Sequence, residues 1–205
     1  MNAIENLNCE VLVLGIGNLL WADEGFGVRC VERLAAEWVL PPGITVMDGG
    51  TQGLYLLPYV QAARRLIVFD AIDYGLEPGT MKRVEGDEVP RFMGAKKMSL
   101  HQTGFQEVIS AADLTGQLPE SLLLIGVQPE ELEDYGGSLR PAVKARLGDA
   151  VAMALSQLRE WGFEPRQRHT AAVGSDALTM AAYEAGRPSA EAACRFGDER
   201  FVATA

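Results

Sequence analysis

Three acidic residues and one histidine are the candidates for chemistry in this chain of 205 residues. Asp48 and Asp70 each end a short apolar run, Glu24 lies in the loop after another, and His101 begins a predicted helix. In open parallel sheets, functional sites form beyond the carboxyl ends of the strands, where the three acids fall. Carboxylates with one imidazole suit a divalent metal ion that keeps open coordination positions. The residues alone therefore predict a metal-binding α/β enzyme.

Each candidate also has a structural alternative. Glu24 could favour the positive end of the helix that follows, and Asp23 beside it is the expected N-cap of that helix. Asp48 could brace the glycine turn after it by bonding to nearby backbone. His101 could be an ordinary helix-start residue. Asp70 could cap a loop, but it follows a buried apolar run, where a carboxylate is costly unless it is paired or coordinates a cation.

Several other kinds of site are disfavoured by the sequence. Gly15 and Gly17 follow the first predicted strand, but Leu20 replaces the third glycine of a dinucleotide fingerprint. The chain has neither the HExxH motif of zinc proteases nor the GxSxG nucleophile motif. Cys30 lies on the apolar face of a predicted helix, so a thiolate nucleophile is not expected. His169 falls in the C-terminal segment and is interpreted as a solvated side chain.

The elements that must position these residues alternate between strands and helices. Apolar runs predict strands at 10–15, 44–48, 65–70, 80–85 and 121–127, with 80–85 at an edge. Helix-spaced apolar residues predict helices at 26–35, 54–63, 101–114 and 141–161. The order predicts an α/β fold in three layers, a mostly parallel twisted sheet of about five strands with helices on both faces.

Composition narrows the class of protein. The formal net charge is −10, which disfavours binding to nucleic acid or to an anionic membrane. No run is long enough to insert in a membrane, and three scattered cysteines are typical of reduced thiols, so a cytoplasmic location is expected. The apolar periodicity ends near residue 163. We expect one domain at 1–163 and a loosely ordered tail at 164–205, with a short helix near 177–185.

Five segments, in order, resemble the motifs of the hydrogenase maturation endopeptidases. They are residues 15–28 (GIGNLLWADEGFGV), 48–51 (DGGT), 69–71 (FDA), 99–104 (SLHQTG) and 126–130 (GVQPE). The resemblance covers roughly residues 10–161. The sequence around His101 is most similar to the enzymes that serve membrane-bound uptake nickel–iron hydrogenases.

The resemblance implies a function. Family members remove a C-terminal extension from the large-subunit precursor of a nickel–iron hydrogenase after nickel has been inserted, and they are grouped with aspartic-type proteases. The family's nickel-contacting residues correspond to Glu24, Asp70 and His101, and nickel is expected to arrive with the bound precursor. The second-motif residue, Asp48, lies near the site and could accept a proton from the attacking water.

Alternatives remain open at this point. Nickel could act as a recognition element, or it could polarise the scissile carbonyl or a water molecule. A covalent acyl-enzyme is disfavoured because no paired nucleophile and base is visible. A different class of function is a non-catalytic, nickel-sensing checkpoint or chaperone that binds the immature large subunit. A nucleotide-binding regulatory domain is a third hypothesis, which the missing glycine disfavours.

Overall fold

The computed structural model describes residues 9–89, 100–169 and 179–186, with 100–103 described by their backbone alone. The strands are β1 (Cys9–Ile16), β2 (Trp38–Val39), β3 (Ile44–Gly50), β4 (Ala63–Ala71), β5 (Met81–Glu85), β6 (Ser121–Val127) and β7 (Arg166–Gln167). The α-helices are α1 (Phe26–Glu37), α2 (Leu57–Ala62), α3 (Leu100–Leu114), α4 (Pro141–Lys144), α5 (Leu147–Glu160) and α6 (Met180–Gly186). Two 3-10 turns, Ala22–Gly25 and Gly53–Leu56, lead into α1 and α2.

The main sheet has five strands in the order β3-β1-β4-β6-β5. The first four are parallel, and β5 pairs with β6 in the antiparallel direction at one edge. The sheet and the helices on its two faces confirm the predicted α/β fold, including the edge position of β5. The parallel strands place the ends of β3, β1, β4 and β6 along one side of the molecule.

Two apolar cores separate the sheet from its helices. On one face, alternate residues of the strands, such as Leu14, Val68 and Leu124, pack against α2 and α3. On the other face, residues such as Val13 and Phe69 pack against α1 and α5. Because side chains alternate along a strand, the parity of a position decides which helix layer it meets.

Helix α1 lies unusually close to the sheet, and two glycines allow it. A Cβ atom on Gly27 would overlap the carbonyl oxygens of Phe69 and Ile16, and one on Gly15 would overlap the carbonyl oxygen of Gly27. The close approach of helix and strand is therefore made at Gly27, in the first turn of α1. A dinucleotide fingerprint would place this glycine at position 20, which is Leu20 here. The glycine that allows the close approach stands seven positions later, at Gly27.

Two predicted helices are interrupted. The segment expected to be one helix at 141–161 forms two, α4 and α5. They are separated where the Arg146 N–H donates to the carbonyl of Val143, three residues back, in place of the four-residue spacing of an α-helix. The segment expected at 54–63 begins with a 3-10 turn, and Pro58 falls in the first turn of α2, where proline is tolerated.

Parts of the segment after residue 163 contact the rest of the chain. Strand β7 pairs with β2 as a two-stranded antiparallel ribbon. The predicted short helix is present as α6, where Glu184 accepts hydrogen bonds from Ser138 and Lys144. Most of the tail predicted at 164–205 lies outside the described residues. Within the described ranges, no helix has the length and apolar character to span a bilayer.

Candidate active site

Asp48 and Asp70 lie at the same end of the sheet, on either side of β1. Gly15 of β1 pairs with Asp48 of β3 on one side and with Phe69 of β4 on the other. One strand separates the two acids, so their Cα atoms are about 10 Å apart at the usual strand spacing. Asp70 is 1% exposed, whereas Asp48 is exposed to solvent.

The register directs the two carboxylates to opposite faces of the sheet. Asp48 shares a row with Phe69, which faces α1, and Asp70 is one position further along β4. Asp70 therefore faces the layer of α2 and α3. The two acids do not form a carboxylate pair, and each must approach a common substrate from its own side of the β1 end.

Asp48 braces the turn that follows it, as its structural alternative predicted. Its carboxylate accepts a hydrogen bond from the Gly50 N–H and lies in the field of the Arg29 guanidinium. Partial withdrawal from water raises the pKa of Asp48, and the Gly50 hydrogen bond and Arg29 oppose that rise. Gly50 adopts φ +46° at a β-bulge: Gly15 pairs with Asp48 and Ile16 with Gly50, so Gly49 is the extra residue.

Glu24 lies in the 3-10 turn beyond β1 and is 7% exposed. Burial raises the pKa of Glu24 to about 7, so the carboxyl is divided between its protonated and ionised forms near neutral pH. Gly17 sits directly against this turn, because a Cβ there would overlap the Glu24 carbonyl oxygen. The turn begins at Ala22, whose φ of +37° is strained for a residue with a side chain.

Asp23 has a different role from the predicted helix N-cap. Its side chain is fully buried and makes no capping bond to α1. One carboxylate oxygen accepts the N–H groups of Glu130 and Glu131 at 2.9 Å each, and the other accepts the N–H of Arg140 at 2.6 Å. The N-cap prediction was wrong because the partners lie more than 100 residues away in sequence.

Asp23 thereby ties two loops together beside Glu24. The loops are residues 17–25, after β1, and residues 128–140, after β6. The ring of Trp21 meets the ring of Tyr135 edge to face, with centroids 5.3 Å apart, and the two residues form a β-bridge. The Gly136 N–H donates to the carbonyl of Leu20 at 2.7 Å. Glu24 is thus held between the sheet end and a cross-linked loop pair.

Gln128 fixes a third loop, residues 72–79, next to Asp70. Its side-chain oxygen accepts the N–H groups of Tyr74 and Leu76, at 2.7 and 3.1 Å. Its amide nitrogen donates to Asp73 and to the carbonyl of Pro129. Every hydrogen-bonding group of this buried side chain is therefore engaged. Gln128 belongs to the fifth motif, GVQPE, but its role in fixing this loop was not predicted from the sequence.

His101 lies in the first turn of α3, which packs on the same face of the sheet as Asp70. One turn later, Gly104 meets Gly53, where a Cβ on Gly104 would lie 3.4 Å from the Gly53 Cα. This contact joins the start of α3 to the segment that follows Asp48. The His101 side chain lies outside what the structure describes, so its distance to the acids stays a prediction.

The chemistry open to this end of the sheet rests on carboxylates. Among the described side chains, no three of His, Cys, Asp or Glu are grouped closely enough to hold a metal ion. Burial raises the pKa of the Cys30 thiol well above its ordinary value, and the charge of Arg33 does not offset this, so Cys30 is not an activated nucleophile. Asp23 is engaged by loop N–H groups, Glu24 and Asp70 are the other two buried carboxyl groups, and Asp48 is exposed.

The residues whose structural roles were not predicted from the sequence have one property in common. Asp23, Gln128 and Arg29 are polar but buried, and each is held by contacts with distant segments. Arg29 pairs with Glu32 at 2.8 Å and lies over the ring of Tyr183 in α6. A sequence shows which residues are polar, but it does not show which of them are buried by residues that arrive from elsewhere in the chain.

Comparisons with known proteins agree with this architecture. The model of the hydrogenase maturation protease family matches residues 28–157, a range that contains Asp48, Asp70 and His101 and begins after Glu24. The hydrogenase expression/formation protein HupD of Thiocapsa roseopersicina is 60% identical over 94% of this chain and 90% of its own length. HoxM of Cupriavidus necator is 58% identical over 94% of this chain and 98% of its own length.

A solved structure extends the likeness to three dimensions. The hydrogenase maturating endopeptidase HybD from Escherichia coli is 42% identical, with a TM-score of 0.73. The match covers 78% of this chain and 98% of HybD, so about a fifth of this chain has no counterpart there. The sheet, the ordered motifs and these relatives together lead to one conclusion: this chain belongs to the hydrogenase maturation protease family.

Proposed function

We propose that this chain is an endopeptidase that removes the C-terminal extension of a nickel–iron hydrogenase large-subunit precursor once nickel has been inserted. One observation carries the proposal: in a chain of this family, two carboxyl groups, Glu24 and Asp70, are buried at the carboxyl end of the sheet. Carboxylate oxygens are ligands that divalent metal ions accept. The precursor's nickel ion is the cation that the proposal assigns to them.

The donor set suits that cargo. Carboxylate oxygens from Glu24 and Asp70, with an imidazole nitrogen from His101, are ligands that nickel accepts. Three protein ligands leave the remaining coordination positions to the precursor, so the ion would dock the junction against the enzyme. Glu24 is suited to reversible docking, because a carboxyl whose pKa is about 7 gives up its proton readily when a cation approaches.

Asp48 is the proposed general base, and it makes the enzyme aspartic in type. Hydrolysis adds the water's hydroxyl to the scissile carbonyl and delivers protons to the departing amine. Asp48 is exposed, and the Gly50 N–H and the Arg29 guanidinium both favour its charged form against the effect of burial, so its carboxylate is placed to accept the water's proton. A precursor segment that crosses the end of β1 would meet Asp70 on one side and Asp48 on the other.

The test uses the purified chain and its precursor, with and without nickel. Intact-mass spectrometry at a low enzyme ratio should show loss of a C-terminal peptide from the nickel-loaded precursor alone. Glu24→Gln and His101→Ala should abolish processing while the circular dichroism spectrum is unchanged. Glu107→Gln on the exposed side of α3 is the matched control and should process normally.

The alternative function is a nickel-sensing checkpoint that binds the immature subunit without cutting it. Under that hypothesis the same ligands serve binding alone. Stable association of the nickel-loaded precursor with no mass loss would favour the checkpoint and remove the catalytic role of Asp48. Full processing by Glu24→Gln would refute the nickel-docking role.

A further inference from the structure

The exposed apolar side chains of the protein are concentrated around the candidate site. Among the described residues, seven large apolar side chains are exposed, and five of them lie in the loops that leave the parallel strands: Leu20, Leu54, Tyr55, Leu76 and Tyr135. Each of β1, β3, β4 and β6 is followed by at least one of the five, which we call the apolar collar. The other two, Val39 and Leu114, lie at the ends of helices α1 and α3, which run back to the opposite edge of the sheet.

The distribution of the apolar collar indicates the size of what it meets. Apolar residues scattered singly over a surface are ordinary, whereas a concentration of them at one edge marks an interaction site. A metal ion is bound by oxygen and nitrogen ligands and gains nothing from apolar neighbours. A protein surface does gain, because apolar area on both partners is removed from water. The apolar collar therefore fits a macromolecule that is larger than the ion it carries.

Tyr135 of the apolar collar is held in place although it is 60% exposed. Its ring meets the ring of Trp21 edge to face, with centroids 5.3 Å apart, and the two residues form a β-bridge. The buried carboxylate of Asp23 ties together the two loops that carry them. A pre-positioned aromatic pair loses little conformational freedom when a partner covers it. Trp and Tyr are also enriched among the interface residues that contribute most to binding.

The aromatic pair adjoins the turn that carries Glu24. The Glu24 N–H donates to the carbonyl of Trp21 at 2.9 Å. Three residues span at most about 11 Å, which limits the distance between the Cα atoms of Trp21 and Glu24. A specific protein interface covers about 800 Å² on each partner, which corresponds to a disc of about 16 Å radius. A protein interface centred on Glu24 therefore reaches the aromatic pair.

We propose that the apolar collar is the surface on which the folded large-subunit precursor docks, with Tyr55 and Tyr135 as its anchors. The inference rests on the proposed function, because it takes the occupant to be the protein that brings nickel to Glu24. Exposed acids, among them Glu77, Glu130 and Glu133, lie in the same loops. The face of the precursor that fits this surface is therefore apolar, with basic side chains at its rim.

The experiment measures processing of the nickel-loaded precursor by Tyr55→Ala and Tyr135→Ala in the full-length protein. We expect each variant to raise KM about 10-fold or more and to change kcat less than about threefold, because docking contacts bind substrate and transition state alike. Tyr135→Phe keeps the ring and should retain the wild-type KM. The matched control is Leu114→Ala, an exposed apolar residue at the opposite edge, which should also behave as wild type. Tyr55 is 83% exposed, so its removal leaves the packing of the chain unchanged.

A second readout does not depend on turnover. Hydroxyl-radical footprinting of the wild-type chain with excess nickel-loaded precursor should show Tyr55 and Tyr135 protected from oxidation and Leu114 unprotected. Wild-type KM in both alanine variants would overturn the docking role and leave the proposed function standing. A fall in kcat with KM unchanged would assign these residues a structural role alone, which also overturns it.

A second copy of this chain is the competing occupant of the apolar collar. Sedimentation of the wild type as a dimer, and of Tyr135→Ala as a monomer with wild-type KM, would assign the surface to self-association and overturn the proposal. A wild-type chain that neither cuts nor binds the nickel-loaded precursor would overturn both the docking surface and the proposed function.

Discussion

Removal of the Asp23 carboxylate should break the link between the loops after β1 and β6. The three N–H groups that it accepts belong to Glu130, Glu131 and Arg140, at 2.6–2.9 Å, and the carboxylate is fully buried. In Asp23→Ala these donors lose a charged acceptor at once. In Asp23→Asn the side chain keeps its shape and one acceptor oxygen, but its NH₂ group then opposes at least one of the N–H groups.

The magnitude follows from the number of bonds. A hydrogen bond to a charged group contributes about 1.5–3 kcal/mol, so three of them set a ceiling of about 9 kcal/mol. The loop lies at the surface and can turn its freed N–H groups toward water, so the full ceiling is not reached. We expect Asp23→Ala to lower the free energy of unfolding by about 3–5 kcal/mol, and Asp23→Asn by about 1–3 kcal/mol, because one buried donor then lacks an acceptor.

Urea unfolding followed by tryptophan fluorescence measures this directly, since Trp21 lies in the first loop and packs against Tyr135 of the second. The control is Asp149→Asn, which removes an exposed partner of Arg146 on α5 and should cost less than about 1 kcal/mol. A loss below about 1 kcal/mol in Asp23→Ala would show that the three bonds do not hold the loops. Equal losses in the Ala and Asn variants would refute the assignment of separate oxygens.

Three further outcomes are expected. Because burial lifts the pKa of Glu24 to about 7, the folded state binds more protons than the unfolded state between pH 4.5 and 7. Stability should therefore fall as pH rises through that window, by at most about 3 kcal/mol, and urea titrations should show a flatter profile in Glu24→Gln. Gly27→Ala should lower the free energy of unfolding, measured in thermal melts, by more than about 2 kcal/mol, because the added Cβ would overlap backbone oxygens. The control is Gly148→Ala, where a Cβ has room, and it should be neutral or slightly stabilising. Glu184→Gln should weaken the contact of α6 with Lys144 and so speed amide hydrogen exchange in α6. Equal exchange rates in the wild type and the variant would contradict this expectation.

The fold could be predicted from the sequence because its signals are local. A window of about ten residues is enough to recognise the apolar runs of β1, β4 and β6 and the helix-spaced residues of α1. The alternation of strands and helices then implies a parallel sheet. The general position of Asp48 and Asp70 followed, since both end a strand. Strand-end location depends on one segment at a time, so no knowledge of pairing was needed.

Side-chain direction at the strand ends could not be predicted in the same way. Whether Asp48 and Asp70 share a face depends on the register of β3 and β4 with β1, and a shift of one residue would reverse the answer. The bulge between Gly15 and Ile16 adds a further offset that no apolar pattern records. The sequence therefore predicted a cluster of acids, and the structure separates the exposed Asp48 on one face from the buried Asp70 on the other.

That separation gives the glycines of the first motif a physical purpose. Gly15 and Gly17 leave room at the end of β1 for the backbone of Gly27 and Glu24, respectively. Gly27, in the first turn of α1, leaves room in turn for backbone oxygens of the sheet. The turn can then lie against the sheet, where the Glu24 side chain is buried. A larger residue at any of these positions would push the Glu24 turn away from the strand ends. The first motif thus acts through distance: its glycines set how closely the Glu24 turn approaches the sheet on which Asp70 is fixed.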